Sequence, residues 1–350
     1  MKPALLVIIG LALGAVIAVG IIIAPILPDD AAEQSGNIDA IYYYMIAICG
    51  LIFGVVTVVL VYCIIAFRGR PGDLDDGPPI HGITWLEVVW TLVPTAIVAS
   101  IVVFSWIVLN ENDDSEAAGR INVHIEGFQF GWAYDYTDAE LGIENADELV
   151  LPVGEPVRFE LTTRDVIHSW WVPDWRLQMN TTPGQTNILS VTPSETGEHE
   201  LVCAFLCGIG HAAMNSEVGQ TSLIKRIRVV TPQEFEAWVA EQKQAREEAA
   251  AQPGAEAVAV FNDNGCGACH ALAAAGSQGG VGPALDPQRL VADAEAAGEP
   301  VDDYIRESIV DPNARIAEGF PPAMPDSFDD LPPEQLDQLV GLLSGAGAGQ

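Results

Sequence analysis

The sequence predicts a multidomain membrane protein, in which apolar helices precede a β-rich domain and a helical C-terminal domain. Three observations predict this fold class: long uncharged segments in the first third of the chain, short strand-like segments between residues 119 and 230, and an Ala- and Gly-rich segment from Ala255 onward. A chain of 350 residues has room for two or three domains.

Two apolar segments are long enough to cross a bilayer, for which about 20 residues suffice. Ile41 to Phe67 carries no charge, and Ile83 to Asn110 carries only Glu87. The loop between them contains Arg68 and Arg70, which favours the cytoplasmic side. We therefore expect a transmembrane helical hairpin over residues 38–112, with all later residues outside the cytoplasm.

The N-terminal segment, residues 1–37, has two interpretations. Lys2 followed by an apolar run is typical of a signal peptide, but the run from Pro3 to Leu27 exceeds the usual length of about 7–15 residues, and no clear cleavage motif follows it. We favour a transmembrane helix that is retained. In either case Lys2 lies on the cytoplasmic side of the membrane and Asp29 lies on the opposite side.

Residues 113–230 predict a β-sandwich or Greek-key barrel, because short segments rich in β-branched residues alternate with Pro/Gly turns. These segments are Ile121–Ile125, Val157–Leu161, Ile188–Val191 and Ser222–Val230. Thr231-Pro232 is typical of a helix start, with Thr as N-cap and Pro at the first helical position. That helix should end near Ala251. We expect residues 231–254 to form a helical linker that leads into a domain over residues 255–350.

Acidic residues dominate the charge, with 48 Asp and Glu against 15 Lys and Arg and a formal net charge of −33. A polyanionic chain repels nucleic acid, which is therefore excluded as a partner. The acidity indicates a solvated surface, and it is also compatible with a docking face for a basic redox partner.

Cys203, Cys207, His211 and Met214 lie within twelve residues of one another. Soft ligands of this kind select copper, and two thiolates suit a centre of two coppers that both thiolates bridge. His168, 35 residues before Cys203, is the candidate for a further ligand, because a cupredoxin barrel supplies one His from an earlier strand end and the rest from a late loop. Zinc fits less well, since tetrahedral zinc sites rarely use Met.

Cys266-Gly-Ala-Cys269-His270 has the C-x-x-C-H spacing of covalent c-type haem attachment. The two thiols add to the porphyrin vinyl groups, and His270 becomes the proximal iron ligand. Met324 is the only Met after Met214 and is the candidate for the sixth ligand. A thioredoxin-like dithiol is disfavoured, because His follows directly and no βαβ pattern surrounds the pair.

Two further features carry open alternatives. Glu87 is either an element of a proton pathway or an interfacial residue that reaches lipid headgroups. The aromatic run from Phe128 to Tyr136, which includes Phe130 and Trp132, is typical of a core strand and also suits a position between the copper centre and an electron donor.

Taken together, these motifs resemble subunit II of the haem–copper cytochrome c oxidases in the caa3-type form, which carries a fused class I cytochrome c domain. The resemblance implies a cupredoxin-like domain with a dinuclear copper centre, CuA, and an all-α cytochrome c domain with one covalently bound haem c. It implies CuA ligands at His168, Cys203, Cys207, His211, Met214 and the backbone carbonyl of Phe205. It favours the proton-path role for Glu87 and electron-input roles for Phe130 and Trp132.

The implied function is electron input to a terminal respiratory oxidase, from haem c through CuA to subunit I, where O2 is reduced to water with proton translocation. The implied partners are subunit I, subunit III, membrane lipid, and a cytochrome or cupredoxin donor. The implied location is a prokaryotic plasma membrane, with both redox domains on the extracytoplasmic side. The alternatives are the corresponding subunit of a CuA-containing nitric oxide reductase and a copper-handling or assembly protein.

The chain departs from the family pattern at three places. Phe205 replaces a usual Glu, and Gln178-Met-Asn180 replaces Lys-x-Asp. Because both changes remove charge near the expected subunit interface, we expect no accessory magnesium or manganese ion. Phe130 stands where the family usually has an electron-input Trp, with Trp132 nearby.

Overall fold

The computed structural model describes residues 3–69, 82–112, 120–146, 148–216, 227–252 and 254–345. The chain divides into two compact units. The first consists of Met1–Asp30 and Gln34–Asp113, and the second consists of Ala31–Glu33 and Asp114–Gln350.

Among its described residues, the first unit contains three helices that are long and apolar enough to cross a membrane: α1 (Pro3–Ile23), α2 (Glu33–Ala66) and α3 (Thr84–Glu111). Helix α2 has 34 residues, and at 1.5 Å per residue it measures about 51 Å, well above the hydrocarbon thickness of about 30 Å. It begins eight residues before the apolar segment predicted from Ile41, because its polar first turns continue the helix beyond the hydrocarbon. The predicted loop residue Arg70 lies outside the described residues.

Polar side chains join the first half of α2 to the second half of α3 and its C-cap residue. Asn37 Nδ2 donates to Asn112 Oδ1 at 2.8 Å, and the hydroxyls of Tyr44 and Ser100 lie 2.7 Å apart. Hydrogen bonds between membrane helices add to the van der Waals packing that holds a hairpin together.

The N-terminal segment forms a helix that packs on α2 through glycines. A Cβ placed on Gly14 would lie 2.4 Å from the carbonyl oxygen of Gly50, and one on Gly54 would lie 2.3 Å from that of Gly10. Two small-x-x-x-small pairs, Gly10/Gly14 and Gly50/Gly54, therefore let the two backbones approach closely, as in other membrane helix pairs.

Replacement of Gly14 by leucine is expected to separate α1 from α2, because the side chain has no space. Overpacking of this kind costs about 1–3 kcal/mol, which should lower the thermal unfolding midpoint of the purified protein in detergent. Gly20→Leu in the same helix is the matched control, since a Cβ there meets nothing within 4 Å. An equal loss in both variants would contradict the glycine contact.

The described residues of the β domain in the second unit form eleven strands in three sheets. The strands are β1 (Ile121–Phe128), β2 (Gly131–Tyr136), β3 (Ile143–Ala146), β4 (Val150–Pro152), β5 (Val157–Thr163), β6 (His168–Val172), β7 (Leu177–Thr181), β8 (Asn187–Val191), β9 (Gly197–His199), β10 (Val202–Cys203) and β11 (Ile227–Val230). The sheet orders are β3-β2-β1-β5-β8, β10-β6-β7 and β4-β11-β9. This arrangement agrees with the predicted β-sandwich or barrel; the predicted strand residues 222–226 lie outside the described residues.

The sheets enclose one apolar core. Alternate residues of β5 are buried, as the period of a half-buried strand requires. Phe159, Trp170 and Trp175 are fully buried there, with ring centroids 5.1 Å apart for the first pair and 6.0 Å for the second. This rigid core carries the strand ends on which the candidate site stands.

Helix α4 (Pro232–Ala250) begins at the predicted residue. Thr231 N–H donates to Glu234 Oε2 at 2.9 Å, which is half of a capping box. Phe235 and Trp238 are buried against Tyr136 of β2, with ring centroids 6.2 and 5.3 Å away. The segment predicted as a linker therefore packs its first turns into the β domain.

The C-terminal part is mainly helical, as predicted. Its elements are α5 (Ala255–Asp263), α6 (Cys266–Cys269), β12 (Ala271–Leu272), β13 (Ser277–Gln278), α7 (Pro287–Ala297), α8 (Val301–Val310) and α9 (Pro333–Leu343). A second apolar core joins α5, α8 and α9 through Phe261, Ile305 and Leu339. These helices surround the second candidate site.

Candidate functional site

The predicted copper ligands converge on one point of the β domain. His168 is the first residue of β6, and Cys203 ends β10, which pairs antiparallel with β6. Cys207 follows in the next loop and is also buried. One ligand atom from each of these three residues lies within 4.8 Å of the others, which is a separation that a shared metal site requires.

The remaining predicted ligands lie against the two thiols. Cys207 Sγ is 3.5 Å from His211 Nδ1 and 3.4 Å from Met214 Sδ, and a short 3-10 helix holds both of these residues. Cys203 Sγ is 3.3 Å from the carbonyl oxygen of Phe205. The structure thus brings together all six ligand groups named from the sequence.

The histidine at this point is arranged as a metal ligand. His168 Nε2 lies 2.9 Å from Asp165 Oδ1, while its Nδ1 is buried with no hydrogen-bond partner among the described residues. Metal-binding histidines characteristically hold one ring nitrogen on a carboxylate and present the other to the metal. The donor set and this orphaned nitrogen fit a copper centre.

The two thiols are electrostatically coupled. A hydrogen bond with Cys207 lowers the pKa of Cys203, and the same contact raises the pKa of Cys207. The pair therefore favours one thiolate and one thiol when no cation is near. A cation between them would stabilise both sulfurs as thiolates, which is the form that binds metal.

Asp165 is a site residue that the sequence did not reveal. Burial alone would raise the pKa of Asp165, but hydrogen bonds with His168 and with the backbone N–H groups of Gln129 and Val166 outweigh burial and lower it. The carboxylate therefore stays ionised beside His168. Its position three residues before the histidine was the one available signal.

Asp165→Asn is expected to weaken copper binding roughly 10–100-fold, as loss of the carboxylate partner of a ligating histidine does in other metal sites. Haem content should not change. Asp174→Asn is the matched control, because Asp174 Oδ2 holds Nδ1 of His199 at 3.2 Å, and His199 is not a proposed ligand. Competition with a copper chelator measures the affinity; equal weakening in both variants would contradict the role of Asp165.

The two aromatic residues singled out from the sequence are both buried. Phe130 is 2% exposed and packs on the segment from Cys203 to Met214, which we call the copper loop. A Cβ on Gly210 of this loop would lie 2.3 Å from the Phe130 ring. Trp132 has its ring centroid 5.9 Å from that of His168 and donates from Nε1 to the carbonyl of Met214 at 3.4 Å. Both therefore lie against the predicted copper ligands rather than on the surface.

The C-terminal domain holds a second site. Cys266, Cys269, His270 and Met324 line one cavity of about 210 Å³. Its remaining wall is largely apolar and includes Phe261, Tyr304, Ile305, Ile309, Phe320 and Leu339. A cavity with two thiols, one imidazole and one thioether on apolar walls fits a c-type haem.

The backbone fixes the orientation of His270. Its Nδ1 lies 2.7 Å from the carbonyl oxygen of Pro283, and a Cβ on Gly282 would lie 2.5 Å from its Cε1. A histidine that donates from Nδ1 keeps Nε2 available to a metal. Burial lowers the pKa of His270, which favours the neutral ring that a metal requires, and burial raises the pKa of Cys266 to about 12.

Glu87 lies in the first turn of α3. A Cβ on Gly82 would lie 2.9 Å from its Oε1, and its carbonyl accepts from the Thr91 hydroxyl at 2.9 Å. A position at the helix start is compatible with both interpretations of this residue, and its proton-path role stays a prediction.

Three protein families match the chain. They are the transmembrane domain of cytochrome c oxidase subunit II over residues 20–108, the periplasmic domain of the same subunit over residues 139–221, and cytochrome c over residues 254–346. All the predicted copper ligands fall within the second match, and the C-x-x-C-H motif falls within the third.

Curated relatives cover most of the chain. Cytochrome c oxidase subunit 2 of Synechocystis sp. is 30% identical over an alignment that covers 68% of this chain and 82% of the relative. The same subunit of Alkalihalophilus pseudofirmus is 28% identical over an alignment that covers 85% of this chain and 84% of the relative. A crystal structure of the periplasmic domain of the Bradyrhizobium japonicum subunit II is 28% identical with a TM-score of 0.30, and covers 36% of this chain and 94% of that one.

Proposed function

Because the chain belongs to the family of cytochrome c oxidase subunit II, in the caa3-type form with a C-terminal cytochrome c domain, and carries electrons into the oxidase, we propose that these electrons pass through one covalently bound haem c and one dinuclear CuA centre. The convergence of two thiols, two imidazoles and a thioether within the copper loop and β6 carries this proposal. The two cofactors belong to a plasma-membrane protein whose redox domains lie on the extracytoplasmic side.

The proposed CuA ligands are Cys203, Cys207, His168, His211, Met214 and the carbonyl of Phe205. A copper pair held by these residues would supply a one-electron centre whose charge is shared between both metals. The protein holds the ligands on the paired strands β6 and β10 and fixes His168 through Asp165. Ligands that are held in this way rearrange little when the charge changes, which keeps the barrier to electron transfer low.

The proposed haem ligands are Cys266 and Cys269, by thioether bonds, with His270 and Met324 on the iron. Such a haem is a one-electron carrier, and Met/His ligation raises its reduction potential. Pro283 and Gly282 orient His270, and the apolar cavity wall excludes water from the ring. The proposed domains are residues 1–37, 38–112, 113–230, 231–254 and 255–350.

Subunit I of the oxidase is the partner that accepts the electrons. We propose that the tip of the copper loop contacts it, because Phe205, Leu206 and Ile209 are 45%, 77% and 66% exposed. An exposed apolar patch of this kind marks a protein interface. An apolar tip also suits an interface without the accessory magnesium or manganese ion, for which Phe205 supplies no carboxylate.

An external donor with a basic face is proposed for the cytochrome domain. Arg289, Arg306 and Arg315 are all paired, with Asp293, Asp337 and Glu299 respectively. A donor that approaches this domain therefore meets its excess of acidic side chains. Complementary charge on the donor raises the association rate. Contact with subunit III and the proton-path role of Glu87 belong to the same proposal.

The test is the metal and haem content of the purified intact complex, with oxygen consumption under reduced cytochrome c. The proposal requires two coppers in this subunit, one covalent haem c and rapid oxygen uptake. Zinc or labile, substoichiometric copper at Cys203 and Cys207 would contradict it and favour a copper-handling protein.

A further inference from the structure

Gln129 lies in the turn between β1 and β2, and two hydrogen bonds fix it to the copper site. Its side-chain Nε2 donates to the carbonyl oxygen of Cys207 at 2.5 Å. Its backbone N–H donates to Asp165 Oδ2 at 2.7 Å, and Asp165 in turn holds His168. Gln129 thus touches the backbone of one proposed copper ligand and the carboxylate that orients another.

The same residue also reaches the haem site. Gln129 is part of the wall of the cavity that contains Cys266, Cys269, His270 and Met324. Its neighbour Phe130 contacts Cys269 through a hydrogen bond between the thiol and the Phe130 backbone. The turn Gln129-Phe130 therefore lies between the two proposed redox centres and contacts both.

Contacts around this turn hold the cytochrome domain in place. Arg164 Nη1 donates to the carbonyl of Asp263 at 2.8 Å, and Asn145 Nδ2 donates to Asp263 Oδ1 at 2.9 Å. The Phe128 ring lies against Gly265, where a Cβ would be 2.5 Å from ring carbon Cε2. Gly265 has φ of +70°, so both the conformation and the space require glycine.

We propose that Gln129 is a bridging residue that couples the haem cavity to the copper loop for electron transfer within the chain. The proposal rests on the function proposed above. In the step, one electron leaves the haem iron, which is oxidised from Fe(II) to Fe(III), and the copper pair gains that electron. No bond to Gln129 forms or breaks, and no proton is transferred.

The geometry favours Gln129 over the other polar and aromatic groups nearby. The amide provides a hydrogen-bonded link from the cavity wall to the Cys207 backbone, and the buried Phe130 ring fills the space beside it. Trp132 packs on the His168 and Met214 side, and it is not among the described residues that line the haem cavity.

The test is the rate of electron transfer from haem c to CuA in the intact complex, after the haem is reduced with a flash-activated reductant. Gln129→Leu keeps the size of the side chain and removes the donor. The rate should fall at least severalfold, while copper content, the CuA absorption spectrum and the haem potential stay as in the wild type. Gln185→Leu, at an exposed loop residue, is the matched control and should transfer at the wild-type rate.

Gln129→Glu is the second variant, because a carboxylate has similar length but cannot donate to the Cys207 carbonyl. It should slow transfer in the same way. An unchanged rate of electron transfer in either variant would contradict the bridging role of Gln129. Loss of copper from both variants would also contradict it, because Gln129 would then serve only to hold the copper loop in place. A wild-type complex without copper or covalent haem would instead refute the proposed function.

Discussion

Replacement of Cys207 by serine is expected to remove the copper centre and to stop electron input to the oxidase. Cys207 Sγ lies within 3.5 Å of both His211 and Met214, and its thiol is coupled to Cys203. A serine hydroxyl is not a soft ligand and cannot bridge two coppers. Copper in this subunit should fall to near zero, and oxygen uptake should fall with it, while covalent haem c is retained.

The matched control is Cys63→Ser, which changes an exposed thiol of α2 in the same way. The two complexes are compared by copper analysis, haem spectra and oxygen consumption. Full copper occupancy in Cys207→Ser would show that this thiol is not a ligand.

The double replacement of Cys266 and Cys269 by serine is expected to abolish covalent haem while the copper centre remains. Both thiols line the haem cavity beside His270, and no other cysteine lies in the C-terminal domain. Electrons from a cytochrome donor should then no longer reach the oxidase. A small soluble reductant that reduces copper directly should still support oxygen uptake.

Haem staining after denaturing electrophoresis measures the covalent attachment, and copper analysis shows whether the β domain is intact. The Cys207→Ser complex serves as the reciprocal control, because it should lose copper and keep haem. Covalent haem in the double variant, or loss of both cofactors, would contradict the assignment of two separate sites.

The sequence predicted the site ligands because each motif is local. Cys203 to Met214 is a single loop, and the C-x-x-C-H motif is a single turn, so their chemistry can be seen without the fold. His168 required one further step, the general layout of a β-barrel copper site. The structure brings His168 to this loop because β6 pairs with β10.

Contacts that depend on tertiary packing could not be predicted in the same way. Asp165 and Gln129 are ordinary polar residues in sequence, and only the fold places them between His168, Cys207 and the haem cavity. Phe130 was predicted near the copper centre, but its burial follows from the glycines of the copper loop that pack on it.

The helices also divide into features that local composition predicts and contacts that only tertiary packing determines. Apolar composition predicted α2 and α3 closely, apart from the polar first turns of α2, which hydropathy does not detect. The end of α4 near Ala251 and its start at Pro232 followed from capping residues and composition. Its docking through Phe235 and Trp238 onto Tyr136 was not foreseen, because an isolated polar helix with a short apolar face resembles a linker.

We expect the copper loop and His168 to hold two coppers that share one charge. Electron paramagnetic resonance of the oxidised complex tests it most directly, because the hyperfine pattern reports how many copper nuclei share the unpaired electron. Equal coupling to two copper nuclei is expected, with loss of this signal in Cys207→Ser. A spectrum from a single isolated Cu(II) ion, or no copper signal from a loop filled with zinc, would contradict it.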